Sequence, residues 1–110
     1  MGEPQVVERE WLVSLVLNSV RLRCRYKRRG NELLDYTVQL ELWHANAWTG
    51  IVRYDNAHGF CHRDTIHADG SQEKMPIYRG DASFNFTWAI KELRLNWQSE
   101  VDRFLAEVKP

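Results

Sequence analysis

The chain has 110 residues, no formal net charge at pH 7 and a hydrophobic content of 44%. This length suits one domain with a two-layer core, so we expect residues 1–110 to fold as a single unit. The ordinary apolar content excludes a chain that is disordered by composition, and the balanced charge excludes a globally basic nucleic-acid-binding protein. Any basic surface must therefore be local.

The N-terminus and the two cysteines indicate the compartment. Residues 1–10 are charged and lack the apolar core of a signal peptide. No apolar run approaches the about 20 residues that span a membrane. We therefore expect a cytoplasmic, reduced protein without a membrane segment. Cys24 and Cys61 are predicted to be small buried strand residues, and a disulfide between them is the less favoured alternative.

The first part of the chain predicts a hairpin. Residues 1–8 are predicted to be a loose terminus, and the apolar run of residues 9–18 fits either a buried strand or a short helix. Residues 20–27 and 34–42 alternate polar and apolar side chains with period two, which is typical of half-buried strands. A three-residue loop at residues 29–31 is expected to join them.

Three further strands are predicted before a long helix. The strands cover about residues 47–54, 60–67 and 73–77, and the last suits a sheet edge because Pro76 lacks an amide proton. Asp81 or Ser83 is the expected N-cap of the helix. The sequence therefore predicts an α+β fold, an antiparallel β-meander of four to six strands with a long C-terminal α-helix packed on one face.

The predicted helix carries one apolar stripe, whose members recur at three- and four-residue steps. The stripe contains Phe86, Ile90, Leu93, Trp97, Val101, Phe104, Leu105 and Val108. Trp88 and Leu95 lie off the stripe and offer apolar area to a partner chain. A homodimer is therefore one of the assemblies that the sequence leaves open.

Side chains that can take part in catalysis or metal binding are concentrated between residues 52 and 67, which hold three of the four histidines. Turn-forming residues at 56–59 predict that Asp55, His58 and His62 are brought toward a common point.

Strand geometry limits which of these side chains can cooperate. In a strand over residues 60–67, His62 and Asp64 share one face, whereas Arg63 lies on the other. Asp64 therefore joins His62 as a candidate site residue.

One interpretation of this cluster is an RNA-cleaving site that needs no metal. Such a site requires two groups that titrate near neutrality and a cation that stabilises the phosphorane. His58 and His62 can be the acid–base pair, Asp55 can orient one imidazole, and Arg53 or Arg63 can hold phosphate.

Two other interpretations of the cluster stay open. The residues can be turn formers and an ordinary strand pair without a chemical role. Alternatively, His58, His62 and Asp64 can form a three-ligand metal site, although no His-x-His or Cys-x-x-Cys spacing supports one. We therefore predict neither a bound metal nor another cofactor.

A basic run is the second candidate surface. It consists of Arg21, Arg23, Arg25, Lys27, Arg28 and Arg29. In the predicted hairpin register Arg25 faces Asp35, whereas Arg23 faces Thr37 and Arg21 faces Gln39, so the run is mostly not neutralised. It fits either a solvated strand face that prevents pairing at a sheet edge or a surface that binds a phosphate backbone or an acidic protein.

Several motifs in the histidine-rich segment carry a resemblance to known proteins. The motifs are Arg53-Tyr54-Asp55, Ala57-His58-Gly59, His62-Arg63-Asp64 and Asp69-Gly70. In this order they are similar to those of a family of uncharacterised small prokaryotic proteins. The Asp-Asn core with the following histidines also resembles TumE-type toxin components of toxin–antitoxin pairs, although the toxin-type strand usually ends in His-x-His.

The resemblance implies a toxin-like protein that acts on RNA, as a metal-independent ribonuclease with a His/Asp site, and that has a cognate antitoxin-like protein as a partner. The alternative is a small non-catalytic module that binds nucleic acid or another protein. Substitution of either His58 or His62 by alanine separates the two hypotheses, because only the first predicts a loss of activity.

Overall fold

A computed structural model describes residues 2–108, with the exception of the His58 side chain. Six strands form one antiparallel sheet in chain order. They are β1 (Val6–Val16), β2 (Val20–Arg29), β3 (Glu32–His44), β4 (Ala47–Asp55), β5 (His62–Ile66) and β6 (Gln72–Pro76). A short 3-10 turn covers Ala57–Gly59, and the helix α1 covers Ala82–Glu107. The predicted α+β meander with a C-terminal helix is therefore confirmed.

The first strand corrects the expectation for the N-terminus. β1 begins at Val6, so the prediction of a loose terminus is wrong for residues 6–8, and the ambiguous segment after them is a strand. Trp11 lies opposite Cys24 in the neighbouring strand, and its ring packs edge-on against Tyr26 and Phe86. The period-two pattern was hidden in the sequence because Leu12, on the opposite face, is also apolar.

The β2–β3 hairpin has the predicted strands but a different register. Only Gly30 and Asn31 lie between the strands, and a β-bulge falls at Lys27 and Arg28. Gly30 has a φ of 56°, which glycine adopts without strain. Before the bulge, Arg21, Arg23 and Arg25 therefore each face a residue two positions later in β3 than predicted.

The core lies between α1 and one face of the sheet. Side chains of β2, β3 and β4 supply most of it. Its fully buried members include Leu22, Tyr36, Val38, Leu40, Ile51, Val52 and Leu93. Trp88 packs edge-on against Tyr54 at 5.6 Å between ring centroids, so it belongs to the packed side of α1, contrary to the predicted stripe. Leu105, predicted within the stripe, is exposed, and Leu95 is exposed as expected.

Specific polar contacts fix the helix on the sheet. Asp81 is the N-cap and accepts the Phe84 N–H at 2.9 Å. Near the other end, the Arg103 guanidinium donates to the Ile51 carbonyl at 3.0 Å and to the Ile66 carbonyl at 3.1 Å. Ile51 is the extra residue of the bulge between β3 and β4. Arg103 therefore satisfies a carbonyl where the ladder is irregular.

Over residues 2–108, no helix combines the length and the apolar composition that crossing a membrane requires. Both cysteines are free. Cys24 is buried within β2, as predicted, whereas Cys61 precedes β5 and is only partly buried, because β5 is shorter than the predicted strand.

Candidate functional site

The histidine-rich segment folds so that its acidic residues and His62 meet on the sheet face that α1 does not cover, here called the open face. In the β4–β5 ladder, Asp55 lies opposite His62, and Arg53 lies opposite Asp64. In the next ladder Asp64 also lies opposite Lys74. Because directly opposed residues share a face, the antiparallel pairing alone collects these five side chains.

His62 is enclosed between two carboxylates. Its Nε2 lies 2.6 Å from Asp55 Oδ1, although the oxygen is off the direction of the ring N–H. Its Nδ1 lies 3.6 Å from Asp64 Oδ1 and 3.4 Å from Lys74 Nζ, and the Phe60 ring lies beside it. His62 and Asp64 are each only 1% exposed. A bound substrate cannot reach either side chain directly in this conformation.

Two cations balance the two carboxylates. Arg53 contacts Asp55 Oδ2 through Nε at 3.3 Å and Asp64 Oδ2 through Nη2 at 3.0 Å. Lys74 Nζ lies 3.3 Å from Asp64 Oδ1. With a neutral His62 the cluster therefore carries no net charge, which is the arrangement that buried ionised groups require.

Three side chains of this cluster are candidate ligands of a metal ion. Asp55, His62 and Asp64 offer oxygen and nitrogen donors that lie within 4.8 Å of one another. However, Arg53 and Lys74 already pair with these carboxylates, and a divalent cation would add two positive charges beside them. This environment fits a metal ion poorly.

Asp55 differs from its neighbours because it borders an open cavity. A cleft of about 330 Å³ on the open face is lined by Arg25, Lys27, Asp35, Tyr36, Thr37, Asp55, Asn56 and Ala57. Lys27 makes no ion pair with any side chain described. Arg25 binds Asp35 at 2.6 Å and Glu8 at 3.0 Å. The cleft thus presents two carboxylates beside two cationic groups, and of the two carboxylates Asp35 is the one already paired with Arg25.

Asn56 and Asp55 shape the end of this cleft. The Asn56 Oδ1 accepts the Tyr36 N–H at 2.9 Å, and its Nδ2 donates to the Leu34 carbonyl at 3.2 Å. Asp55 Oδ1 accepts the Ala57 N–H at 3.0 Å. The Asp55 contact, to the residue two positions on, is typical of aspartate in turns, whereas the two Asn56 contacts reach across to β3. They hold the start of the 3-10 turn against β3.

The structure tests only part of the expectation for His58. Its backbone lies within the Ala57–Gly59 turn, next to Ala57, which lines the cleft. The His58 side chain is outside the described part of the chain, so its predicted proximity to Asp55 and His62 stays a prediction.

Half of the basic run is neutralised, contrary to prediction. Arg21 contacts Glu41 at 2.7 Å, and Arg23 contacts Glu41 at 3.1 Å and Glu10 at 2.7 Å. The shifted hairpin register explains this, because Glu41 lies opposite Arg21. Burial raises the pKa of Glu41, but hydrogen bonds from Arg21, Gln39 and Arg23 outweigh it and hold that pKa below its ordinary value.

Arg63 lies on the opposite side of the sheet from the other candidate phosphate-binding residues. It donates to the Tyr54 hydroxyl at 2.9 Å and to Glu100 of α1 at 2.8 Å. Burial raises the pKa of Tyr54 to about 12, so this hydroxyl stays protonated and can donate to Glu92. Arg63 therefore fastens the helix to the sheet and cannot share a phosphate with Arg53.

Of the remaining arginines, Arg28 donates to the Gly30 carbonyl at 2.9 Å, and Arg29 is exposed at the end of β2. The predicted set of phosphate-binding residues is therefore divided between ion pairs on the open face, the hairpin turn and the helix side. Only Arg25 of the predicted set lines the cleft.

Lys74 and Glu41 are the site residues that sequence reasoning missed. Lys74 could have been found from the Asp69-Gly70 turn, because a symmetric hairpin about that turn opposes it to Asp64. Glu41 required the correct β2–β3 register, which depends on a bulge without a sequence signature of its own.

Comparisons with known proteins identify a family but not an activity. No curated protein and no solved structure matches the chain. The profile of a domain of unknown function, DUF7718, matches residues 6–110. Because this match covers almost the whole chain, the protein belongs to the DUF7718 family.

Proposed function

We propose that this protein is a toxin-like, metal-independent ribonuclease and that the cleft on the open face is its active site. The observation that carries this proposal is the position of Asp55. Its carboxylate borders a cavity that Arg25 and Lys27 also line, and the buried His62 ring lies directly behind it. Carboxylate, imidazole and cations are the groups that transfer protons and offset charge in phosphodiester cleavage.

In this mechanism Asp55 is the general base. An Asp55 oxygen removes the 2′-hydroxyl proton, and the 2′-oxygen then attacks the adjacent phosphorus. His62 does not touch the substrate because it is 1% exposed. It acts as a positioning residue, since its ring lies 2.6 Å from Asp55 and limits the movement of that carboxylate. This assignment replaces the two-histidine pair that the sequence suggested.

The leaving group and the phosphorane need two further functions. As the new P–O2′ bond forms and the P–O5′ bond breaks, the departing 5′-oxygen must receive a proton, and His58 is the residue to which we assign this role. Arg25 and Lys27 offset the negative charge that accumulates on the phosphorane oxygens. The expected products are a 2′,3′-cyclic phosphate and a 5′-hydroxyl.

A protein of this kind acts where cellular RNA is, so the proposal includes the cytoplasm as its compartment. It also includes an antitoxin-like partner that blocks the cleft. Because Lys27 makes no ion pair with any described side chain and lines the cleft, an acidic segment of such a partner would meet an available cation there.

The proposal is tested with an oligonucleotide that contains one ribonucleotide among deoxynucleotides, incubated with the protein in the presence of EDTA. We expect cleavage after the ribonucleotide only. The Asp55→Asn variant should cleave about 10²- to 10⁴-fold more slowly, which is the usual contribution of a general base. Asp102→Asn is the matched control, because Asp102 is exposed on α1 and makes the same chemical change away from the cleft.

A second candidate function is a non-catalytic module that binds nucleic acid or protein. The burial of His62 and Asp64 favours it, since Arg53 and Lys74 both pair with Asp64, in a manner typical of structural ion pairs, and Lys74 also lies beside His62. Wild-type protein that binds the oligonucleotide without cutting it, and whose binding is unchanged in Asp55→Asn, would support this function and contradict the ribonuclease proposal.

A further inference from the structure

The outer edge of β1 is the longest unpaired strand edge of the sheet. β1 has 11 residues and is an end strand, with no strand beyond it in the chain from residue 2 to 108. Val6, Leu12 and Val16 on this strand are between 39% and 50% exposed. A long apolar edge with free backbone N–H and C=O groups is a template for pairing with another strand.

The opposite edge of the sheet is protected against such pairing. β6 has only five residues, all of them exposed. It carries Glu73 and Lys74, and Pro76 removes one backbone donor. Short length, charge and proline are the features by which proteins prevent edge association. The two edges of the sheet therefore differ in their protection against strand pairing, and β1 is the one suited to accept a partner strand.

The two carboxylates of β1 do not protect its edge. Glu8 binds Arg25 at 3.0 Å and Glu10 binds Arg23 at 2.7 Å. Both carboxylates thus turn inward over β2 and away from the position that a new strand would take. Arg9 is the further exposed charge on this strand, and its guanidinium donates to the Glu8 carbonyl of the same strand at 3.1 Å.

We propose that β1 pairs antiparallel with β1 of a second copy of this chain, so that two six-stranded sheets become one. A two-fold axis perpendicular to the sheet relates the copies, and it keeps both α1 helices on the same side. Residues that face each other must then come from the same face of β1, so their numbers must sum to an even value.

Charge and apolar matching favour an axis at Leu12 over an axis at Trp11, which would oppose the charged Glu10 to the apolar Leu12. A register centred on Arg9 or on Glu10 opposes each of these charges to its own copy, which is unfavourable. A register centred on Leu12 opposes Leu12 to its copy, Trp11 to Val13 and Glu10 to Ser14. We therefore assign the axis to Leu12. This assembly does not depend on the proposed ribonuclease activity.

The oligomeric state tests the proposal directly. Sedimentation equilibrium of the wild-type chain across the micromolar range should show a monomer–dimer equilibrium. Leu12→Glu should weaken the dimer about tenfold or more, because two like charges then meet at the axis. Leu95→Glu is the matched control, since Leu95 is exposed on α1, and its dimer should match that of the wild type. A wild-type monomer throughout, or a dimer that Leu12→Glu leaves intact, would overturn the proposal.

A cross-linking measurement supports the test if Leu12→Glu does not fold. Directly opposed Cβ atoms lie about 4.5–5.5 Å apart in an antiparallel pair. Two copies of Leu12→Cys should therefore form a covalent dimer with a short bismaleimide, in a Cys61→Ser background. Leu95→Cys in the same background should not. Equal yields from the two variants would contradict an axis at Leu12.

Discussion

Arg63 fastens α1 to the sheet, and Arg63→Met tests how much this contact contributes to the free energy of unfolding. The substitution removes the hydrogen bonds to Tyr54 and Glu100 while it keeps most of the apolar stem. Loss of one partner from a buried ion pair costs about 3–5 kcal/mol. Because the Arg63–Glu100 pair is only partly buried, and because Glu100 retains Arg103 and Tyr54 retains Glu92, we expect the lower end, about 3 kcal/mol.

Urea unfolding followed by circular dichroism measures this loss, which corresponds to a decrease in Tm of about 12 °C for a domain of this size. Arg94→Met is the control, because Arg94 is exposed on α1, and its stability should change by less than about 0.5 kcal/mol. An Arg63→Met protein with wild-type stability and reduced RNA affinity would refute this argument. That result would identify Arg63 as the phosphate contact that the sequence suggested.

Three further predictions concern titrating groups. Glu41→Gln should lower the free energy of unfolding by about 2 kcal/mol near neutral pH. Because the folded pKa of Glu41 is lowered, the contribution of this carboxylate to stability is present above its ordinary pKa of about 4.3 and is lost as the pH falls through the folded pKa. In urea unfolding, the stabilities of the two proteins should therefore converge in acid. The hydrogen bond that His67 Nδ1 donates to Glu107 raises the pKa of His67, so Glu107→Gln should lower that pKa in an NMR titration, and an unchanged titration would contradict this. The ion pair should stabilise the wild type below about pH 6.5 and lose its effect as the pH rises through the folded pKa of His67. Burial raises the pKa of Cys24 to about 11, so iodoacetamide should label Cys61 alone in the native protein, and labelling of both cysteines at similar rates would refute the burial argument.

Local pattern was sufficient for most of the fold. Alternation in residues 20–27 and 34–42 predicted two strands, and the turn residues at Asp69-Gly70 and the cap at Asp81 lie where the sequence indicated. Face assignment also succeeded for the candidate site, because period two alone separates His62 and Asp64 from Arg63. These features depend on a few neighbouring residues, so they can be predicted without the tertiary structure.

Long-range features could not be predicted in the same way. The two-residue loop at Gly30 and Asn31 and the β-bulge at Lys27 and Arg28 each move the hairpin register by one residue. Together they bring Glu41 opposite Arg21, so that part of the basic run is ion-paired. The burial of His62 depends on the side chains of neighbouring strands and of Phe60 around it. No pattern within a single strand indicates that a side chain such as that of His62 is enclosed.

The identity of the cleavage products tests the central claim most directly. Phosphorus NMR of the products formed by wild-type protein in EDTA should show a 2′,3′-cyclic phosphate signal, which should be absent with Asp55→Asn and present with Asp102→Asn. A 3′-hydroxyl with a 5′-phosphate, or complete loss of cleavage in EDTA, would contradict metal-independent cleavage by Asp55.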